Sequence, residues 1–395
     1  MVVDNEDSPP IARSTTGSNV GNTAITPTLK VGINYPYKDY GYDFDSPAGE
    51  HPQSWWNEVE SDLTRFKDLG LFAVRWFILG DGRNYGPGDN RSGNVDPDWT
   101  PQVVPLTPGF KRDFFKLLQL FSDVGMKIMP VLMANSWCWS AEHTQGPNQS
   151  QLIKGGRDSL VSDPSDFFRL WLQPLLQESK RDPNRSVIYA WDIMNEPEFV
   201  LDQEVEGGPE GPIPVVDEDE LKAFLRGGVD LVNTAEFVST VGFRKRETIS
   251  NWNDLHVRLH QFHYYPKGLL FGRGDPLPRH TFSQRGQCIL GEIATRVDLL
   301  PAWPDHPGWV DRPPDNIRIY NRLSLIERLG YPAVFLYAAN PADPDAWYWT
   351  RWYRGEHVAE SWPGTRVSQS FPSIRVYPLG DGSVEAQVRR FTHRY

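Results

Sequence analysis

Two glutamates stand out by where they fall. Glu196 lies near the end of the stretch Val187 to Glu198, VIYAWDIMNEPE, whose apolar, β-branched and aromatic start reads as a strand buried on both faces. An acid leaving such a strand and followed at once by Pro197 does not suit a regular ladder. It suits the strand's C-terminal end, where parallel α/β architectures carry their chemistry. Glu292 stands near the C-terminal end of a second short apolar strand, QCILGEIA at 287–294. Gly291 before it allows close backbone approach or a bulge. Two carboxyl groups facing each other can cleave a glycosidic bond. One donates a proton to the leaving oxygen, and the other attacks or stabilises the anomeric carbon.

The frame that must hold them is long. The chain has 395 residues, enough for one large α/β barrel with additions. From Lys30 on, strand and helix patterns alternate. Strands are expected at 31–36, 71–79, 127–133, 187–194, 237–243, 257–266, 287–294 and 333–340. Helices are expected near 54–69, 108–124, 164–180, 217–233 and 315–329. Ser54 is a candidate cap for the first, and Gly70 and Gly125 end the first two. The acidic run VDEDE opens the fourth favourably for its dipole. The fifth and sixth crossovers are short and weakly helical. Eight strands with mostly helical crossovers predict a closed (β/α)₈ TIM barrel.

The ends of the chain read differently. Residues 1–29 are rich in Ser, Thr, Asn, Pro and Gly and are expected to form a disordered, low-complexity tail. The barrel is assigned to 30–362. Residues 363–395 are expected to add a C-terminal β-hairpin, FPSIRVYP and VEAQVRRF around the turn LGDGS.

Composition narrows the class. The net charge of −11 opposes a polyanionic partner such as nucleic acid and is indifferent to a neutral polysaccharide. Fifteen tryptophans exceed ordinary core needs, and flat rings can stack on sugar faces. Cys138 and Cys288 make neither a disulfide framework nor a zinc pattern and are expected to be thiols far apart. No apolar run approaches the ~18 residues of a spanning helix. The acidic start MVVDNEDSPP lacks a signal region, so the chain is expected to be intracellular or exported by a signal outside this sequence. A monomer without metal or cofactor is expected.

Taken together, the strand ends resemble the retaining glycoside hydrolases of clan A, nearest the family 5 cellulase and mannanase group. The resemblance spans about Lys30 to Asn340 and rests on order and position: NEP after strand four, HxY on strand six, Gly-Glu on strand seven. It implies Glu196 as general acid/base and Glu292 as nucleophile, acting on a β-glucan or β-mannan type of oligo- or polysaccharide. It implies that Asn195 bonds the sugar 2-hydroxyl and that Tyr265 donates a hydrogen bond to the nucleophile. His263, two residues from Tyr265 and on the same strand face, becomes a neighbour of substrate or acid/base. Arg75, which interrupts the apolar second strand, becomes the partner that keeps Glu292 charged; as a buried guanidinium it needs a carboxylate, and Asp192 is the other candidate.

The chain also departs from the family pattern. After strand three, where many relatives carry a histidine, it reads MANSWCW, with Asn135 and Ser136. At strand eight, where many carry a tryptophan platform, it reads YAAN. Trp137, Trp139 or Trp347 can supply that platform from loops. These departures bear on substrate identity and keep a non-catalytic carbohydrate-binding barrel as the competing reading. A metal-dependent hydrolase would need clustered histidines at several strand ends, which HQFH at 260–263 does not supply. The loop GDGRNYGPGDN at 80–90 lacks phosphate-loop spacing and is expected to shape the sugar cleft with Arg83 and Tyr85.

Overall fold

The computed structural model describes residues 28–36, 38, 43–46, 49–79, 105–135, 161, 163–201, 217–264, 287–294, 297–299, 319–337, 374–376 and 382–394. Eight parallel strands close into a barrel. They are β1 (Lys30–Asn34), β2 (Ala73–Phe77), β3 (Lys127–Val131), β4 (Trp191–Asn195), β5 (Ser239–Phe243), β6 (Leu259–Tyr264), β7 (Gln287–Ala294) and β9 (Ala333–Tyr337), each paired with the next, and β9 with β1. The TIM barrel expected from the alternating pattern is the architecture observed.

The helices coat the barrel for the reasons their sequences give. α1 (Gln53–Asp68) buries Trp56, Val59, Leu63 and Phe66, one face at helical spacing. It starts at Gln53 with Pro52 at the cap, and no side chain caps it, so Ser54 does not play that part. α2 (Pro108–Val124) is capped by Thr107, whose Oγ1 accepts from the Phe110 N–H at 3.1 Å. α5 (Glu218–Thr234) is capped by Asp217, which accepts from the N–H groups of Asp219 and Glu220.

The helix expected at 164–180 is not uniform. α3 (Ser165–Phe167) widens into a π-helical turn at Phe168–Leu172 before α4 (Gln173–Arg181). Pro174 explains the widening, because it has no N–H for the Leu170 carbonyl and its ring crowds that oxygen. Leu106 donates to the Leu170 carbonyl instead, at 3.0 Å. The fifth crossover holds the short helix α6 (Arg246–Asn251). α7 (Ile319–Arg328) buries Ile319, Leu323 and Ile326.

The C-terminal hairpin is corrected. Ile374–Val376 (β10) does form a strand, but it pairs antiparallel with Val297–Leu299 (β8). Gly382–Thr392 is an α-helix. Val384, Val388 and Phe391 fit a 3.6-residue period, while Val384, Ala386 and Val388 also fit alternation, so the apolar pattern alone cannot choose. Glu385, Ala386, Gln387, Arg389 and Arg390 are strong helix formers and tip the balance. The helix lies on α7, buries Val388 and Phe391, and ties back to α1 through Thr392 Oγ1, which donates to the Leu69 carbonyl at 2.6 Å. Of the expected tail, residues 1–27 lie outside the described residues, and Leu29 is buried directly before β1. Cys288 is a buried thiol, and Cys138 lies outside the described residues. No described helix is long and apolar enough to cross a membrane.

Candidate active site

Two irregularities in the barrel aim side chains into its mouth. On β7, Leu290 faces Phe262 in register, but Glu292, not Gly291, faces His263. The extra residue is a bulge at Gly291, as the glycine suggested. A Cβ there would press against the Gln261 amide, which would have to shift to make room for it. Strict alternation would send Glu292 outward beside Leu290 and Ile293; the bulge turns it inward. On β4 the register likewise shifts between Asp192 and Asn195. Ile193 and Met194 both join the outer core, and Asp192 and Asn195, three residues apart, both point into the barrel. Nothing in the sequence announced this second bulge. The strand also begins later than expected, because Arg185–Val187 form a 3₁₀ turn and Ile188 makes only a single bridge to Ile128.

Glu196 follows β4 directly, as expected of an acid before proline. Its backbone is left-handed, with φ 48° and ψ 57°, an uncommon state for a residue with a Cβ. Its N–H donates to the Gly242 carbonyl at 2.7 Å. Glu198 anchors the turn that follows, accepting from the N–H groups of Arg244 at 3.0 Å and Lys245 at 3.2 Å.

Arg75 is the hub beneath the two glutamates. It is fully buried and uses all five N–H groups. Nε and Nη2 donate to Asp192 Oδ2 at 3.0 and 2.8 Å, and Nη1 donates to Glu292 Oε1 at 2.6 Å. Nη1 also reaches Asn34 Oδ1 at 2.9 Å, and Nη2 reaches Asn195 Oδ1 at 2.7 Å. The two candidate partners of Arg75 are therefore both present. Burial opposes its charge, but Asp192 and then Glu292 more than offset that, and its pKa is raised.

His263 bridges the glutamates. Its Nδ1 lies 2.8 Å from Glu196 Oε1 and 3.4 Å from Glu292 Oε2. Burial drives its pKa down to about 4, against the pull of Glu292, so the ring is neutral near pH 7. The Glu196 side chain keeps 15 % of its exposure at the mouth. Burial still pushes its pKa up to about 7, against the opposing pull of Arg244 and then Arg75. One carboxyl is thus poised to carry a proton, and the other is held against a guanidinium.

Arg75, Asn195, Glu196, His263 and Glu292 are brought to one mouth. Tyr265, Trp137, Trp139, Trp347 and the 80–90 loop lie outside the described residues. Asn135, which follows β3, donates from Nδ2 to the Asn195 carbonyl at 3.3 Å. Asn34, Gly242 and Gln261 were not singled out in the sequence. Gln261 was within reach, since it lies two residues from His263 on the same strand face.

Glu196, His263 and Glu292 are also the one group among the described residues whose donor atoms could converge on a metal, all within 4.8 Å of one another. The fit is poor. Arg75 occupies Glu292 Oε1 and sets a positive charge where a cation would sit.

No family model and no curated protein matches the sequence. The fold does have solved relatives. An endo-1,4-β-mannanase from Eisenia fetida superposes with a TM-score of 0.54 at 16% identity, over 78% of this chain and 84% of that one. A β-1,4-D-mannanase from Cryptopygus antarcticus gives 0.52 at 14% identity, over 89% and 95%. An endo-1,4-β-mannanase from Rhizomucor miehei gives 0.51 at 13% identity, over 93% and 95%. At these identities the likeness is one of fold: this chain shares the barrel of solved β-mannanases.

Proposed function

We propose that this protein is a retaining glycoside hydrolase that cleaves β-linked oligo- or polysaccharides of the β-mannan or β-glucan type. The observation that carries the reading is the pairing of Glu196 and Glu292 across one mouth. An oxygen of each lies within 4.8 Å of the other. Retaining enzymes hold their carboxyl groups about 5–5.5 Å apart, whereas inverting ones leave about 6.5–9.5 Å for a water. Nearest oxygens this close support the shorter, retaining separation.

The chemistry follows from the two environments. Glu196, protonated up to about pH 7, gives its proton to the glycosidic oxygen as the bond to the anomeric carbon breaks. Glu292, ion-paired to Arg75, attacks that carbon from the opposite face and forms a glycosyl ester. Glu196, now a carboxylate, takes a proton from water, and the water oxygen displaces Glu292. Asn195 has its Oδ1 held by Arg75, which leaves Nδ2 to meet the sugar 2-hydroxyl. Tyr265 is assigned as a donor to Glu292, and Trp137, Trp139 and Trp347 as ring platforms for sugar, on their sequence positions. The mannan side of the assignment is supported by the mannanases named above, whose barrel this chain shares.

Reducing-end-labelled mannan and glucan oligosaccharides test the reading, with Glu292→Gln as control. Cleavage is expected in the wild type and not in the variant, and proton NMR should find the substrate's own anomer formed first. The inverted anomer would remove Glu292 as nucleophile. Sugar binding without turnover on any β-glycoside would favour the non-catalytic barrel.

A further inference from the structure

One buried carboxylate beneath the mouth touches neither reacting glutamate, yet is joined to both. Asp192 has no exposed surface. Its Oδ2 accepts from Arg75 Nε and Nη2 and from Gln261 Nε2, the last at 2.7 Å. Its Oδ1 accepts from the Gly242 N–H at 2.9 Å. Each bond leads onward. Arg75, clamped through two of its nitrogens, presents Nη1 to Glu292 Oε1 and Nη2 to Asn195 Oδ1. The Gly242 peptide, held by its N–H, offers its carbonyl to the Glu196 N–H and so fixes the left-handed turn that aims the acid.

We propose that Asp192 is the positioning residue of this site: it sets Glu292 and Asn195 through Arg75, and Glu196 through the Gly242 peptide. The inference rests on the glycosidase reading. A guanidinium without a second carboxylate would be free to rotate toward Glu292, its remaining anion. The fork that now serves nucleophile and amide together would then lose its plane. The Asn195 amide would lose the contact that keeps Oδ1 down and Nδ2 toward the sugar. Gly242 has the same sensitivity from the other side. A Cβ on it would lie 2.9 Å from Arg75 Nη2 and 3.0 Å from Asp192 Oδ2, wedging the pair apart without removing a charge.

The test compares two substrates. One is an aryl β-glycoside that the wild type turns over, and the other is its analogue lacking the 2-hydroxyl on the ring bonded to the aryl group. In Asp192→Asn, kcat should fall about 10²-fold with KM changed little, as expected for displaced reacting groups. The wild type's preference for the substrate bearing the 2-hydroxyl should collapse by about tenfold or more, the size of one lost hydrogen bond of this kind. A residue that merely holds the fold together would lower both rates by one factor and leave that preference intact, and this result would overturn the proposal. Should Asp192→Asn fail to fold, Gly242→Ala reads the same ratio with every charge kept; collapse supports the proposal and an unchanged ratio overturns it. A wild type without turnover on any β-glycoside would overturn the glycosidase reading and this inference with it. An active wild type whose variants keep the ratio would overturn this inference alone.

Discussion

At the N-terminal ends of the strands the barrel interior is filled by Ala73, Met129, Ala190, Leu259, Ile289, Ala333 and Phe335, all buried and apolar. One layer higher β1, β2, β4 and β6 contribute Asn34, Arg75, Asp192 and Gln261, equally buried and polar. The floor needs only shape. Side chains of the right volume exclude water, and each is worth its area and its contacts. The upper layer needs partners, because every buried donor and charge left unmatched there would cost more than an apolar residue in its place. Arg75 meets that demand by using all five of its N–H groups. The contrast teaches that one half of this barrel is held by packing alone, and the other by a polar network that brings Glu196 and Glu292 together at the mouth.

The sharpest way to break the contrast is to remove the carboxyl groups one at a time. Glu292→Ala should lose nearly all turnover on every substrate, because no glycosyl-enzyme can form. Glu196→Ala should lose about 10²–10⁴-fold on natural substrates, the usual range for a general acid/base. On an activated aryl glycoside it should still form the glycosyl-enzyme and stall at its hydrolysis. Azide needs no general base, so it should rescue this variant and give a glycosyl azide of the substrate's own configuration. In Glu292→Ala, azide entering the vacated space should give the opposite anomer. Chromatography and NMR of the azide products check both, and the same anomer from the two variants would count against the separate roles.

The next effect belongs to the floor. Phe335→Ala should cost about 3–5 kcal/mol of stability, as large buried aromatics do when truncated. Arg75 and the glutamates lie a layer away and keep their partners. At a temperature where the variant is folded, kcat and its pH dependence should match the wild type. Denaturant unfolding beside a pH–rate profile tests this, and a shifted profile would show the two layers to be coupled.

These layers were not equally legible in the sequence. α2 and β7 were expected at the residues where they occur, because a capped 3.6-residue stripe and a bounded apolar run need no tertiary information. Glu196 and Glu292 announced themselves by ending such strands. Asp192 did not, beyond being a possible partner for Arg75, because a single acid inside an apolar run gives no sign of which way it points. The bulge after it, which brings Asn195 onto the same inward face, depends on register with β5, which only the closed barrel defines. The expectation of one helix over 164–180 passed over Pro174, and the donor that compensates for it, Leu106, lies 64 residues before the Leu170 carbonyl it serves. The C-terminal helix was misread because its apolar positions satisfy both periods.

The subtlest consequence of the polar layer is on stability, and its sign can be worked out. Burial lifts the Glu196 pKa from an ordinary 4.5 to about 7 in the folded chain. The folded state therefore binds this proton more tightly than the unfolded state. The associated stability is fully present below pH 4.5 and is lost as pH rises through 7. A difference of about 2.5 units corresponds to about 3 kcal/mol as an upper figure. His263 acts in the opposite sense. Its folded pKa is depressed from 6.5 to about 4, so its contribution is present above 6.5 and lost as pH falls through 4. Glu196→Gln keeps the size of the side chain, stays uncharged at every pH and leaves His263 in place, so the histidine contribution largely cancels between the two proteins. At pH 4 the variant and the wild type should be nearly equal in stability. At pH 8 the variant should be the more stable by up to about 3 kcal/mol, while its turnover of natural substrate is lost. Urea unfolding at the two pH values measures the difference. Parallel stability curves for the two proteins would mean that Glu196 ionises in the folded barrel as it does in water, and the proton that the proposed chemistry needs near neutral pH would then have no holder.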